Sequence, residues 1–422
     1  MTDYVPANNG AGPLWCYGST VIARLDEDVF LSIIETGKDV PLLCNTRWQL
    51  WHRSAAGWKI AQQESDYRQR EPCPIAVSPA GKVFLSVNPS TEPPGTKYGP
   101  CKPQVLEFDA ASLSGSPKRR LPAWSGEGHF TDHSYRGFAA DRSNGELLLL
   151  NIDARTGEQY VSYCDSTGRR HAAGAITFPI RSCYPQVALH NRSAHVMAIG
   201  DIVEPVKEWR ELKFKKLSRR WDYVFRRLFY TFTPDITGED FSAVIEVDTV
   251  EDTCGYIRNL DMHIDDTGAA HLLYLKRPFQ YAFIRDEYFP GQRMTSQLEH
   301  VVIRDGRIVR RQTIIETPAN RRGIEPSFAR FHVAPGDRLF VILAGTATDE
   351  GPGKFANWIV PVDAGQAPGK PILLSLEHPF GNFFTNTPRG GSQPSDVADL
   401  FGIADDNPNL RYARIRIESR AD

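Results

Sequence analysis

Apolar and polar residues alternate with a period of two along most of the chain, and the alternation stops at short polar turns. "STVIARLDEDVFLSIIE", "CPIAVSPAGKVFLSVNP", "RGFAADRSNGELLLLNI", "YPQVALHNRSAHVMAIG", "NLDMHIDDTGAAHLLYL" and "PSFARFHVAPGDRLFVIL" share this shape. Each reads as a strand, a tight turn and a second strand with one face buried. Gly81, Gly145, Gly268, Gly336 and Asn191 stand at the turns. Hairpin turns need a positive φ or a side chain that mimics one, which Gly and Asx supply. Helical periodicity is scarce. One stretch, Val206 to Phe229, is charged and aromatic enough to read as a helix, though with an irregular face.

Six such hairpins are joined by a seventh unit, in which "FFTNTPRGGSQPSDVADLFG" leads to the strand "RYARIRIE". The 422 residues divide into seven units of about 60. That predicts an all-β fold, a seven-bladed β-propeller forming a single domain over residues 1–422. The runner-up is a pair of β-sandwiches, but no Pro/Gly/Ser-rich linker divides the chain. In a propeller the first strand of each blade is innermost, so residues that precede these strands converge at one mouth of the channel. The basic, aromatic segment from about Ile202 to Asp240 is expected as an insert between blades four and five, covering part of one face.

The formal net charge of -2 gives no basic footprint for nucleic acid or a membrane surface. No apolar run approaches the roughly 18 residues of a spanning helix. The first fifteen residues lack the basic and apolar regions of a secretion signal. That leaves a cytoplasmic protein, or a secreted or periplasmic one whose processed form carries an added Met1. Seven cysteines (16, 44, 73, 101, 164, 183 and 254) are irregularly spaced without a Cys-x-x-Cys pair, which favours buried thiols over zinc. A monomer is expected.

"DHSYRGFAADRSNGELLLLNID" followed by "RSCYPQVALHNRSAHVMAIG" resembles the BNR-type propellers that include the ulvan lyases and related polysaccharide lyases. The last unit resembles that group's last blade. The resemblance implies sialidase-like blades and β-elimination at a uronic acid within an acidic polysaccharide or oligosaccharide, with no cofactor required. It also implies that His133 and Tyr184 form the proton-transfer pair. Such chemistry needs a base for the C5 proton, an acid for the leaving oxygen, and a cation or polar group that neutralises the carboxylate. The family places an arginine where this chain has Gly200-Asp201, and Asn151 or Asp153 stands near its second histidine. The neutraliser is therefore sought among Arg136, Arg258, Arg322 and Arg389. Arg389 is favoured because the glycines of "TPRGG" let backbone approach a ligand. The Ser-x-Asp-x-Gly-x-x-Trp boxes of sialidases are absent.

Other residues carry two readings each. His133 is a proton-transfer group or a polar cap on a strand, and Tyr184 is catalytic or a packed aromatic. Asn259, Asp261, Arg322 and Glu325 precede or open inner strands and are candidates for substrate binding, as are Asp201 and Asn151. Asp201 and Glu204 also offer a carboxylate pair for glycoside hydrolysis. A glycan- or protein-binding propeller without catalysis is the third reading. His195, His263, His271 and His332 fall within strands and are expected to be satisfied blade histidines. The Asp265-Asp266 turn suits a structural calcium, and hairpin chemistry accounts for it equally. In the insert, Trp221, Tyr223, Phe225, Leu228 and Phe229 are expected to pack on the propeller, while its basic groups are open to an acidic glycan.

Overall fold

The computed structural model describes the chain except residues 16, 17, 97, 134, 220, 221, 319–321, 349–352, 363–366, 405, 406 and 419–422. Its strands form a seven-bladed β-propeller. The first strands of the blades are Ile22–Leu25, Ile75–Ser78, Arg136–Ala140, Ser182–His190, Tyr256–Ile264, Ile324–Ala334 and Phe380–Thr385. Each meets the first strand of the next blade, and the seventh meets the first. Blades one to six have four antiparallel strands apiece. The seventh has three among the described residues, and Thr2 joins its outer strand through a backbone bridge to Leu410.

The expected turns lie where the alternation stops, with positive φ at Gly81, Gly145, Asn191, Gly268 and Gly336. The hydrophobic core is distributed between blades rather than gathered at a centre. Leu148 and Val161 of blade three, for example, pack on Val187 and Val196 of blade four. Blades seven and one share Phe384 and Phe401 with Ile22 and Leu31. Two-faced burial explains why strands such as the second of blade three read as nearly continuous apolar runs, here "ELLLLNI".

The channel itself is filled by polar groups that satisfy one another. Asp261 accepts hydrogen bonds from Arg389 Nε at 3.0 Å and from the Phe331 amide at 3.0 Å. Arg389 also donates to the Gly18 carbonyl at 2.9 Å. Arg330, 1% exposed, donates to the carbonyls of Leu260 and Phe383. The segment between the first two strands of blade seven crosses the far mouth, where the inner strands end. There the Arg389 and Gly390 carbonyls accept from Ala140 and Val77, and Ser392 Oγ accepts from the Arg24 amide. Gly391 has φ +82°, and a Cβ there would lie 1.9 Å from the Val77 carbonyl oxygen.

The insert differs from expectation in place and extent. It lies within blade four, between its second strand Ser193–Gly200 and third strand Arg227–Thr233. The sequence pattern put it between blades four and five because the third strand, "RLFYTFT", follows a basic run without a turn glycine. Helix α1 occupies Lys207–Leu217, and Ile202–Val203 pairs with Tyr223–Val224. Glu204 anchors the insert through Arg226 and through Lys213 at 3.2 Å, all three buried. Leu228 and Phe229 are buried, Phe225 is half-buried and Tyr223 is exposed. Trp221 and Cys16 lie outside the described residues.

Removing one member of a buried ion pair strands the other, at a cost of about 3–5 kcal/mol. Asp261→Asn is therefore expected to lower the urea-unfolding free energy by about that amount. The effect should exceed that of Asp26→Asn, a substitution in an exposed turn, measured in the same way.

Candidate functional site at the near mouth

The near mouth is where the inner strands begin. His133 lies three residues before the inner strand of blade three, and Tyr184 lies in the inner strand of blade four. That strand carries a bulge, with register shifting between Cys183 and Gln186. Tyr184 has φ +48° there, a left-handed conformation uncommon for a non-glycine residue. Two contacts hold it. Asn259 Nδ2 donates to the Tyr184 carbonyl at 2.7 Å. Gly18 packs so closely that a Cβ would lie 2.1 Å from the Pro185 carbonyl oxygen. Bulges commonly re-aim a side chain beside a site, and this one turns Tyr184 toward Tyr135.

Tyr135 connects the two candidate groups. Its ring centroid is 5.0 Å from that of His133 and 4.5 Å from that of Tyr184. Its hydroxyl lies 3.4 Å from His133 Nε2 and also meets Tyr184 in a side-chain hydrogen bond. Burial pushes the Tyr135 phenol well above its usual range, with the charge of Asp201 adding to it, so it stays protonated. The other ring nitrogen, His133 Nδ1, is paired with Glu71, whose side chain is 7% exposed against 30% for the histidine.

Beside Tyr135 stands a cation not among the sequence candidates, Arg181. Arg181 Nη1 is bound to Asp201 Oδ2, and the guanidinium carbon sits 5.6 Å from the centroid of the Tyr135 ring. Its side chain is 41% exposed while Asp201 is 3% exposed. Burial pushes the Asp201 carboxyl upward, and the Arg181 guanidinium acts against that. Asp201, found where an arginine was expected, thus holds an arginine that stands one residue ahead of the adjacent strand. Strand register carried the signal. Counting outward from the turn at Asn191, a regular hairpin pairs Ser182 with Asp201. The bulge shifts the pairing by one, to Ser182 with Gly200 and hence Arg181 beside Asp201.

A cleft of about 250 Å3 opens beside this cluster, walled by Trp15, Tyr184, Phe225 and Tyr256, with Arg258 and Asn259 along it. Asn259 is 4% exposed and its amide is engaged by Tyr184, so it supports the tyrosine rather than presenting itself to a ligand. Three expectations are corrected by burial. Arg389 is 4% exposed and committed to Asp261 and Gly18 inside the channel, so it cannot neutralise a substrate. Asn151 is 2% exposed and donates to Asn88 Oδ1 at 3.4 Å, bridging blades three and two behind the site. Arg136 is likewise buried, donating to the Pro72 carbonyl at 2.8 Å. Arg322 and Glu325 are exposed where blade six begins, whereas the cleft is built by blade four, blade five and the N-terminal segment. Asp201 and Glu204 are each committed to separate cations and do not form a carboxylate pair.

The strand histidines all meet protein partners, His195 and His271 within their own blades and His263 and His332 on the next blade. His195 Nδ1 meets the Tyr230 hydroxyl at 2.6 Å, His263 meets Asp337 at 3.0 Å, His271 meets His300 at 2.9 Å, and His332 meets the Ser395 carbonyl at 2.7 Å. Asp265 accepts hydrogen bonds from the amides of Thr267 and Ala269 and so closes its own turn. Among the described residues no group of three or more His, Cys, Asp or Glu could hold a metal ion. Six cysteines are buried free thiols.

No protein-family model matches the chain, and no curated protein matches it. Among solved structures, the chain is similar to the polysaccharide lyase Uly1, with a TM-score of 0.54 and 11% identity over 95% of this chain and 90% of that one. It is also similar to a GH93 α-L-arabinofuranosidase of Fusarium graminearum, with a TM-score of 0.40 and 9% identity over 81% and 93%. A prolyl endopeptidase gives a TM-score of 0.49 and 12% identity over 94% of this chain and 46% of that one. At these identities the likeness is one of fold.

Asp153 supplies a pH-dependent support to the mouth. Burial raises its carboxyl, but amide hydrogen bonds from His129, Thr156 and Arg155 outweigh that and hold it at about 2. A carboxyl depressed on folding stabilises above its unfolded value and loses that contribution as pH falls through the folded one. The stability difference between wild type and Asp153→Asn should be full above about pH 4 and should fade as pH drops toward about 2. Urea titrations across that window measure it.

Proposed function

We propose that the protein is a polysaccharide or oligosaccharide lyase that cleaves a glycosidic bond next to a uronic acid by β-elimination. The observation that carries the reading is the convergence of His133, Tyr184 and Arg181 around the Tyr135 ring. In this reaction His133 removes the C5 proton. The C4–O bond breaks as the C4–C5 double bond forms, and the Tyr184 hydroxyl protonates the leaving oxygen. Arg181, oriented by Asp201, faces the uronate carboxylate and stabilises the charge that spreads onto it. The aromatic cleft beside Tyr184 receives a neighbouring sugar, since rings offer flat apolar faces to pyranose C–H groups. The fold-level likeness to a polysaccharide lyase is compatible with this reading.

A hydrolase reading loses its support because the two carboxylates nominated for it are held in separate ion pairs. A panel of acidic glycans, followed at the ultraviolet band of unsaturated uronyl products, tests the lyase reading. Turnover is expected on at least one of them. His133→Ala and Tyr184→Phe should each reduce kcat by about 100-fold or more, and Arg181→Ala by a similar factor, without loss of the folded circular dichroism signal. Release of reducing sugar without an unsaturated product, or no product from any glycan, would overturn the assignment.

A further inference from the structure

We infer that Glu71 is a positioning residue that fixes the tautomer of His133, and that through it the hydrogen-bond chain across the site acquires a single direction. The inference rests on the proton-transfer role given to His133 above. Glu71 lies in the segment before the inner strand of blade two, so it reaches His133 from a different blade. Its carboxylate is an acceptor only, and it meets His133 Nδ1. Nδ1 must therefore carry the proton. Nε2 of the neutral ring is then an acceptor, and it faces the Tyr135 hydroxyl at 3.4 Å. Tyr135 donates to Nε2 and, its single proton used, accepts from Tyr184. Every donor from Tyr184 through Tyr135 and His133 to Glu71 then points the same way. The Nε2 lone pair, once a substrate C–H displaces the Tyr135 hydroxyl from it, is what abstraction of a carbon-bound proton requires, and the opposite tautomer would present a donor there.

The surroundings hold Glu71 in place. Arg136 Nη2 donates to the Glu71 carbonyl at 3.5 Å and to that of Pro72 at 2.8 Å. Arg70, beside it in sequence, lies 3.7 Å from Asp132 and donates to the Asn9 carbonyl at 3.1 Å. Two arginines thus accompany two carboxylates in this buried patch. Glu71 is 6% exposed, so the carboxylate is placed for His133 rather than for solvent or substrate.

The test is nitrogen-15 NMR of histidine-labelled protein, with His133 assigned by its absence in His133→Gln. Wild type is expected to show the neutral ring with the proton on Nδ1 alone. Glu71→Gln, whose amide can donate as well as accept, is expected to show a mixture of tautomers. On a glycan that the wild type cleaves, that variant should lose about 100-fold in kcat with KM changed by less than about threefold. A wild-type ring protonated on Nε2, or a Glu71→Gln variant with unchanged tautomer and kcat, would overturn the inference. Should the variant fail to fold, the wild-type spectrum still decides. Should no glycan be cleaved, the lyase reading falls while the tautomer result still stands or falls by itself.

Discussion

The ion pair between Asp261 and Arg389 occupies the one place where all seven blades must agree. A propeller buries its apolar residues between blades, which leaves the narrow channel to polar side chains from inner strands. Unpaired there, each would be costly. Asp261 answers this by accepting from Arg389 of blade seven and from the backbone of blade six, while Arg389 reaches on to Gly18 ahead of blade one. Arg330 does the same with backbone carbonyls of blades five and seven. Satisfied in this way, the channel becomes a fixed axis, and residues at the near mouth inherit their positions from it.

The site lies where that axis meets a local irregularity. An ordinary hairpin in blade four would send Tyr184 and its neighbours to alternate faces in strict order. The bulge breaks that order, puts Tyr184 in a left-handed conformation, and brings Arg181 beside Asp201. The strain is offset by Asn259 from blade five and by the close approach of Gly18. Backbone strain retained beside a cluster of tyrosines, histidine and arginine is the kind of feature that functional sites keep and simple scaffolds lose. Its supports come from two distant parts of the chain, which lets the bulge persist without a local sequence signature.

Much of the architecture was legible because hairpins announce themselves in two ways at once, through alternation and through turn chemistry. Gly81, Gly145, Asn191, Gly268 and Gly336 all adopt the positive φ their residue types suggest. His133 and Tyr184 were legible through short motifs at the starts of inner strands, and the structure brings both onto Tyr135. Arg181 was not, because its role depends on a one-residue register shift that no composition reveals. Arg389 misled for an instructive reason. The glycines beside it do permit close approach, but what approaches is the protein's own Val77 carbonyl rather than a ligand. Asn151 misled similarly, since a polar residue at a strand end can serve a neighbouring blade as readily as a substrate. The insert was displaced by two strands because a basic run without a turn glycine hid the third strand of blade four.

The segment that crosses the far mouth has a consequence for how the chain reaches its native state. Ser392 bonds Arg24 across 368 residues and Arg389 bonds Gly18 across 371. Contacts of such separation carry the greatest loop-closure cost and form late. As the chain is synthesised, six blades are available as an open arc long before these partners exist. That arc exposes the flanks of its first blade and the pairing edges beside it, where Ile22 and Leu31 await Phe384 and Phe401. The vulnerable interval of this protein's biogenesis is therefore the wait for its last blade, when aggregation through that open seam competes with closure.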